Sequence, residues 1–189
     1  MNKQNLMIDM DDVICNGGFL YLINEFTHKH YVIDDFKDYY MQDVIPQEDK
    51  KDWLEFFKQN NIYTKACFIQ NAYEIIYKLN EVYNVFIVTS YIVPEEIIIS
   101  SKLLQDKFVW LQENLPFISP YNYVFCSNKD IIDCDIKIDD KLSNLTGNIH
   151  TKTKLLFTAY HNKNITDNEL KNNNVIRVNN WNDISEILL

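Results

Sequence analysis

Basic residues are scarce in this sequence, and their scarcity restricts the partners that the protein can have. The 18 lysine and arginine residues stand against 27 aspartate and glutamate residues, which leaves a formal net charge of −9 over 189 residues. A protein that binds the backbone of a nucleic acid usually presents a basic surface. We therefore expect no nucleic-acid polymer as a partner. A small phosphorylated substrate stays compatible with the charge, because one lysine and one metal ion can reverse the local field of a pocket.

Zinc-binding spacings and long apolar runs are also lacking. The four cysteines, Cys15, Cys67, Cys126 and Cys134, form no CxxC pair and no cluster with histidine. No apolar run reaches the ~18–20 residues that cross a bilayer. No charged-then-apolar signal segment precedes the first strand pattern. We expect a cytoplasmic protein with free thiols and no membrane partner.

Short apolar runs alternate with longer amphipathic stretches, and this alternation predicts an α/β fold with a Rossmann-like parallel sheet. Hydrophobic residues make up 47% of the chain, which is enough to bury a core. The first four runs end in polar residues, and parallel sheets bind ligands at the carboxyl ends of their strands. The six predicted strands cover residues 6–8, 85–88, 123–125, 136–138, 155–157 and 175–178.

Residues 17–80 differ from the rest of the chain because they are rich in aromatic residues at helical spacing and contain no convincing strand. We interpret them as a helical cap inserted after the first strand, with residues 1–16 and 81–189 forming the catalytic core. The alternative is a first crossover helix with extra core. A connection of over sixty residues is longer than a crossover needs.

Three further helices are predicted in the core. A long one runs from residue 95 to 115, a short one lies within the Lys/Asn-rich stretch 161–174, and a final one covers 183–189. The apolar residues that the long helix is expected to bury are Ile98, Leu103, Leu104, Phe108 and Leu111.

Two pairs of carboxylates follow predicted strands. Asp9 and Asp11 come directly after the first strand, and phosphoryl transfer needs one carboxylate to attack phosphorus and one to handle the proton of the leaving oxygen. Asp139 and Asp140 follow the fourth strand, where paired carboxylates suit Mg²⁺, a hard ion that prefers oxygen ligands. Acidic residues at strand ends are also common in turns and helix caps, so neither pair is decisive alone.

Hydroxyl groups and a lysine stand between the two acidic pairs. Thr89 and Ser90 end the second strand, and their hydroxyls can hold phosphate oxygens. Lys129 can neutralise the phosphate and the attacking carboxylate. Each residue is a weak signal by itself, because threonine and serine commonly end strands and most lysines lie on the surface. The full order of acid pair, hydroxyl, lysine and second acid pair is far more specific.

This order of motifs resembles the haloacid-dehalogenase superfamily, and more closely the 5'(3')-deoxyribonucleotidase family of cytosolic and mitochondrial type. Residues 156–162 resemble that family's segment after the fourth motif, and residues 180–184, with Ile187 and Leu188, resemble its closing segment. The resemblance covers nearly the whole chain and is weakest in the cap. It implies a phosphatase whose partner is a small nucleotide, a (deoxy)nucleoside monophosphate.

The resemblance also implies a role for each motif residue. Asp9 would be the nucleophile that forms an aspartyl phosphate, and Asp11 would be the general acid and then the base that activates water. Mg²⁺ would be held by Asp9, the backbone carbonyl of Asp11 and Asp139. Asp140 would be a neighbouring acid or a water-mediated ligand. The residues expected to grip the phosphate are Thr89, Ser90 and Lys129.

The substrate contacts of the cap are less well matched. Aromatic rings suit base stacking, but they could equally form the core of the cap. Asp12 stands where many relatives have glycine, and we interpret it as a solvated turn residue rather than a charge beside the metal. His161 lies beyond the fifth strand, and we interpret it as structural. The residues that fall near the family's base-contacting positions are Phe19, Tyr39, Tyr40 and Met41.

Other functions stay open at this point. The enzymatic alternative is a haloacid-dehalogenase-type phosphatase for a sugar phosphate or another small phosphomonoester, because the cap sets substrate choice. The non-enzymatic alternative is a catalytically dead relative used as a binding module, although the motif residues are intact. Receiver-type signalling domains share these residue types but carry their acceptor after the third strand. The preferred base and sugar, 5' versus 3' preference and a homodimer also stay open.

Overall fold

The computed structural model describes residues 3–94, 96–147 and 150–189. Six of the strands in these residues form one parallel sheet, so the predicted α/β fold class is confirmed. The strands are β1 (Asn5–Ile8), β2 (Cys15–Asn16), β3 (Cys67–Phe68), β4 (Asn84–Thr89), β5 (Tyr123–Phe125), β6 (Ile136–Asp139), β7 (Thr153–Phe157) and β8 (Ile176–Val178). The order across the sheet is β5-β4-β1-β6-β7-β8, and each predicted strand is present.

Strand β1 lies between β4 and β6 near the middle of the sheet. Its apolar run is continuous rather than alternating because both of its faces are buried. Ile8 is level with Ile87 in β4 and with Ile138 in β6. The residues that follow these positions therefore emerge at one edge of the sheet, and they include Asp9 and Asp139.

The helices cover the two faces and the ends of the sheet. They are α1 (Gly18–Thr27), α2 (Lys50–Gln59), α3 (Ala72–Val82), α4 (Ile97–Asn114), α5 (Ser143–Thr146), α6 (Asp167–Asn172) and α7 (Trp181–Leu188). The predicted helices of the core correspond to α4, α6 and α7, although Glu95, the predicted start of the long helix, lies outside the described residues. Among the helices that the structure describes, none has the length and apolar character needed to span a bilayer.

Helix α4 buries a different face from the predicted one. Leu103 and Leu111 are buried as expected, whereas Ile98 and Phe108 are 73% and 41% exposed. Lys107 stands four residues from each buried leucine and is 0% exposed. The prediction was wrong here because it counted apolar residues only, and a lysine can be buried when its ammonium finds polar partners.

The segment between β1 and β4 is built around an aromatic cluster. The ring of Phe19 in α1 packs edge-on against Trp53 and Phe57 of α2, at centroid distances of 5.9 and 5.6 Å. These contacts bury the apolar face of α1 against α2, and the rings join the same hydrophobic cluster as the strands of the sheet.

A short antiparallel strand pair within this segment joins the residues after β1 to those before α3. Cys15 in β2 lies opposite Phe68 in β3, in antiparallel register. The expectation of no strand in 17–80 is therefore wrong at β3, because a two-residue strand is too short to produce an alternating pattern. Helix α3 contacts β4 and α7, which places it against the sheet although its residues up to 80 fall in the predicted cap. The domain division itself stays a prediction.

Candidate active site

A cavity of about 640 Å³ opens at the carboxyl ends of β1, β4 and β6. Its volume falls in the usual range for small-molecule sites. Its walls include the core residues Asp9, Asp11, Ser90, Lys129 and Asp140. The predicted base-contacting residues Phe19, Tyr39, Tyr40 and Met41 line the same cavity.

Asp9 occupies the position directly after the central strand. Its side chain is held in place because the N–H of Met10 donates to Oδ1 over 2.6 Å and the ammonium of Lys129 lies 2.7 Å from Oδ2. The residue is 8% exposed. Burial raises the pKa of the Asp9 carboxyl above its usual value, and Lys129 opposes that rise. A buried carboxylate next to a fixed cation is well placed to attack an anionic phosphate.

Lys129 connects the first and second acidic pairs. Its Nζ atom lies 2.7 Å from Asp9 Oδ2 and 2.8 Å from Asp139 Oδ2, and the residue is 5% exposed. Burial by itself would lower the pKa of Lys129, but Asp9 and Asp139 together raise it above the usual value. The ammonium therefore stays charged and partly neutralises both carboxylates.

The two acids of the second pair have different surroundings. Both oxygens of Asp139 already accept hydrogen bonds: Oδ2 from Lys129 at 2.8 Å, and Oδ1 from the Lys141 N–H and the Asn144 amide, both at 2.9 Å. Asp140 instead lines the cavity. Asp139 therefore forms part of the framework behind the cavity wall, and Asp140 is the member of the pair that reaches the open space.

His161 and Asn162 hold Asp140 from the far side. His161 Nε2 lies 2.7 Å from Asp140 Oδ2, and the Asn162 side-chain amide donates to the Asp140 carbonyl over 2.7 Å. Burial and the nearby carboxylates of Asp9 and Asp139 raise the pKa of Asp140 well above its usual value. Burial also lowers the pKa of His161. The predicted structural histidine thus contacts a carboxylate of the site itself.

Three carboxylates are close enough to share one cation. Asp9, Asp139 and Asp140 each offer an oxygen, and these oxygens lie within 4.8 Å of one another. An all-oxygen donor set in a buried, acid-rich site suits a hard divalent ion such as Mg²⁺. The chemistry of the donors therefore fits the predicted class of metal.

Asp12 lies near this cluster rather than in solvent. Its backbone has a φ of 56°, in the left-handed region that glycine adopts most readily, which explains why glycine suits this turn. Its carboxylate lies within 4.8 Å of the ligand atoms of Asp140 and His161. Burial, with the charges of Asp140 and Asp11, raises the pKa of Asp12 to about 8. The interpretation as a solvated turn residue is wrong, because the tight turn directs the side chain inward.

Asp11 is held by two residues that the sequence analysis did not select. The hydroxyl of Tyr63 donates to Asp11 Oδ1 over 2.9 Å, and Lys107 Nζ lies 2.5 Å from Asp11 Oδ2. The one feature of the sequence that could have indicated a buried Lys107 is its position four residues from both Leu103 and Leu111. Tyr63 had none, since it is one of 12 tyrosines in the chain.

The predicted phosphate-gripping hydroxyls lie at different depths. Thr89 is 1% exposed, and its Oγ1 accepts a hydrogen bond from Lys107 over 2.5 Å. Ser90 lines the cavity, where its hydroxyl lies 2.6 Å from that of Ser127. Ser127 was not selected as a site residue, although it follows the end of β5. The hydroxyl pair Ser90 and Ser127 therefore faces the open space, with Thr89 behind it.

Aromatic residues of the segment between β1 and β4 contact residues that follow β6 and β7. The ring of Tyr39 lies 5.0 Å from His161 and 4.6 Å from the ammonium of Lys141. The hydroxyl of Tyr160 donates to the Tyr39 carbonyl over 2.8 Å. Met41 is 6% exposed and packs into the core cluster. The predicted base-contacting set thus mixes accessible rings with buried residues.

Comparisons with known proteins agree with this geometry. The family described as "5' nucleotidase, deoxy (Pyrimidine), cytosolic type C protein" matches residues 3–189. A 5'(3')-deoxyribonucleotidase of Bacillus subtilis is 29% identical over 191 residues, covering 99% of each chain. A proposed 5'(3')-deoxyribonucleotidase of Staphylococcus aureus is 30% identical over 192 residues, covering 100% of this chain and 97% of that protein. A proposed haloacid-dehalogenase hydrolase of Bacillus subtilis, solved with magnesium, superposes with a TM-score of 0.54 at 13% identity, covering 100% and 99% of the two chains.

Proposed function

The chain belongs to the cytosolic type C 5'-nucleotidase family, and we propose that it is a Mg²⁺-dependent 5'(3')-deoxyribonucleotidase. Membership of this family makes the protein a phosphoric monoester hydrolase. The family's description names deoxy pyrimidine compounds and a cytosolic type. We therefore propose cytoplasmic deoxypyrimidine monophosphates as the first substrates to test.

The placement of Asp9 carries the proposal. Its carboxylate lines the cavity at the end of the central strand, and Lys129 lies 2.7 Å from one of its oxygens. The ammonium would hold the phosphate and reduce its repulsion from the attacking carboxylate. Asp11, two residues further on, lines the same cavity and would serve the leaving oxygen.

The reaction would proceed by two substitutions at phosphorus. In the first, an Asp9 oxygen forms a bond to phosphorus while the bond to the ester oxygen breaks, and the Asp11 carboxyl gives its proton to the departing nucleoside. In the second, Asp11 takes a proton from water as that water attacks the aspartyl phosphate. Inorganic phosphate leaves, and both carboxyl groups return to their starting states. Ser90 and Lys129 would hold the phosphoryl oxygens through both steps.

The residues that would hold Mg²⁺ can be narrowed by whether their side chains line the cavity. The predicted set is Asp9, the backbone carbonyl of Asp11 and Asp139. Because Asp140 lines the cavity, whereas Asp139 is fully buried and does not line it, we favour Asp140 as the carboxylate that binds the ion directly. A bound Mg²⁺ would neutralise charge on the phosphate and orient it for attack.

Phosphate release from a substrate panel tests the proposal. The panel contains dUMP, dTMP, purine deoxynucleotides, the matching 3'-monophosphates and ribose 5-phosphate, each with Mg²⁺ and with EDTA. We expect metal-dependent release that is fastest from deoxypyrimidine monophosphates. Release from ribose 5-phosphate alone would favour the sugar-phosphatase alternative. Absence of release from every substrate would favour the binding-module alternative and count against the proposed function.

A further inference from the structure

The carboxylate of Asp11 is fixed from two directions. The hydroxyl of Tyr63 donates to Oδ1 over 2.9 Å, and the ammonium of Lys107 lies 2.5 Å from Oδ2. Tyr63 belongs to a turn of the cap segment, and Lys107 belongs to α4 of the core. Each oxygen of Asp11 therefore has its own partner. Rotation of the carboxyl group would break at least one of these two contacts.

The ammonium of Lys107 donates hydrogen bonds only to groups around Asp11 and the end of β4 among the contacts that the structure describes. Its three ammonium protons have three acceptors: Asp11 Oδ2 at 2.5 Å, Thr89 Oγ1 at 2.5 Å and the Ser90 carbonyl at 3.1 Å. The residue is 0% exposed, so water does not compete for these protons. The ammonium therefore keeps a fixed position relative to the end of β4.

Tyr63 is also held in place, by burial and by the packing of its turn. Its residue is 5% exposed, and its backbone N–H donates to the Asn61 side chain over 2.7 Å. The turn Ile62–Lys65 packs directly on the first residue of α1, where a Cβ on Gly18 would lie 1.9 Å from the Ile62 carbonyl oxygen. A glycine is needed at this close approach. The Tyr63 hydroxyl is thus presented to Asp11 by packed backbone and not by a flexible loop.

We propose that Tyr63 and Lys107 are positioning residues that orient the Asp11 carboxyl toward the leaving oxygen, an inference that rests on the proposed function. A general acid must lie within hydrogen-bond reach of the oxygen that it protonates. A displacement of about 1 Å can lower a rate by roughly 10²-fold. Because Tyr63 comes from the cap segment, the orientation of Asp11 depends on how that segment packs against the core.

The choice of leaving group separates this role from a general structural one. A nucleoside leaves as an alkoxide unless it is protonated, so its departure depends on a well-placed acid. p-Nitrophenolate is a stable anion and needs little help from an acid. Misplacing Asp11 should therefore slow dUMP hydrolysis much more than p-nitrophenyl phosphate hydrolysis, whereas general damage to the site should slow both alike.

Tyr63→Phe is the first variant to measure, because it removes only the hydroxyl. We expect kcat for dUMP to fall by about 10- to 100-fold, with KM changed little. The fall for p-nitrophenyl phosphate should be at least about tenfold smaller. Tyr123→Phe is the matched control, since it removes a buried hydroxyl that bonds to Gln112 and Ile118 away from the cavity. Equal losses on the two substrates, or none, would overturn the role of Tyr63.

A double-mutant cycle tests whether Tyr63 acts through Asp11. In an Asp11→Asn background, Tyr63→Phe should lower dUMP turnover no further, because the carboxyl group that it orients is absent. A full additional loss would assign Tyr63 a separate role and overturn the inference. Undiminished dUMP turnover by Asp11→Asn alone would instead contradict the proposed function. The two failures are therefore distinguishable.

Lys107→Met tests the second positioning residue. We expect a greater loss with dUMP than with p-nitrophenyl phosphate, on top of a loss common to both because Thr89 also loses a partner. Lys102→Met is the matched control on the same helix, where the ammonium bonds to Asp106 outside the cavity lining. Thermal unfolding of each variant confirms that rates are compared between folded proteins. Equal losses on both substrates would remove Lys107 from the positioning role.

Discussion

The carboxyl edge of the sheet (the core wall) and residues 17–80 (the cap wall) line one cavity, and their lining residues differ in chemistry. The core wall carries charged groups: Asp9 and Asp140 directly follow the neighbouring strands β1 and β6, and Lys129 lies beyond the end of β5. The cap wall carries rings such as Phe19 and Tyr40. If the proposed function holds, we expect the core wall to carry out phosphoryl transfer and the cap wall to select the group attached to the phosphate. Tyr63 is the exception, because it extends from the cap segment to a carboxylate of the core.

Replacement of Asp9, the proposed nucleophile, should have the largest effect of any change on the core wall. We expect Asp9→Asn to lower turnover of every substrate by about 10⁴-fold or more, because an amide cannot form the aspartyl phosphate. The fold should remain, since Lys129 keeps its contact with Asp139. Phosphate release and thermal unfolding are the two measurements.

Asp133→Asn is the matched control for this variant. It makes the same acid-to-amide change at an exposed position of the core, and it should keep wild-type turnover. Substantial turnover by a folded Asp9→Asn protein would refute the nucleophile assignment, and a substrate-dependent loss would contradict the division of work between the two walls.

Changes at Asp139 and Asp140 test which of the two acids on the core wall binds the metal ion. Asp140→Asn should raise the Mg²⁺ concentration for half-maximal activity by at least about tenfold, with little loss of stability. Asp139→Asn should instead lower the free energy of unfolding by about 3 kcal/mol, because it removes one partner of the buried Lys129. Metal titrations of activity and chemical denaturation measure the two effects. The reverse pattern would restore Asp139 as the metal ligand that the sequence resemblance predicts.

The sequence was sufficient to predict which residues lie together when they follow strands of the parallel sheet. A parallel sheet brings the carboxyl ends of its strands to one edge, so finding the apolar runs was enough to place Asp9, Ser90 and Asp140 together. Distances within the site could not be predicted in this way. Which acid of the pair faces the cavity depends on the turn after β6, where the Lys141 N–H and the Asn144 amide bind Asp139.

Sequence reasoning failed where a polar residue is buried by tertiary contacts. Lys107 lies on the buried face of α4, four residues from both Leu103 and Leu111. A lysine at such a position is predicted to be exposed unless the partners of its ammonium are known. Tyr63 lies in a turn with no periodic pattern, and its hydroxyl is placed by the close packing of the turn against Gly18. The inward direction of Asp12 follows from a positive φ that an aspartate in the sequence does not reveal.

The smallest expected effect concerns the cap wall, where two phenylalanines offer a matched pair. Phe19 and Phe26 both pack edge-on against Trp53, at 5.9 and 5.4 Å, but of the two only Phe19 lines the cavity. Each change to leucine should cost a similar stability, about 1 kcal/mol. If the Phe19 ring contacts the base, Phe19→Leu should raise KM for dUMP by roughly fivefold to tenfold, because a stacked base contributes about 1–3 kcal/mol. Phe26→Leu should leave that KM unchanged, and neither change should alter turnover of ribose 5-phosphate, which has no base. An equal KM for dUMP in both variants would make Phe19 part of the cap core only and would move the search for the base contact to Tyr39 and Tyr40.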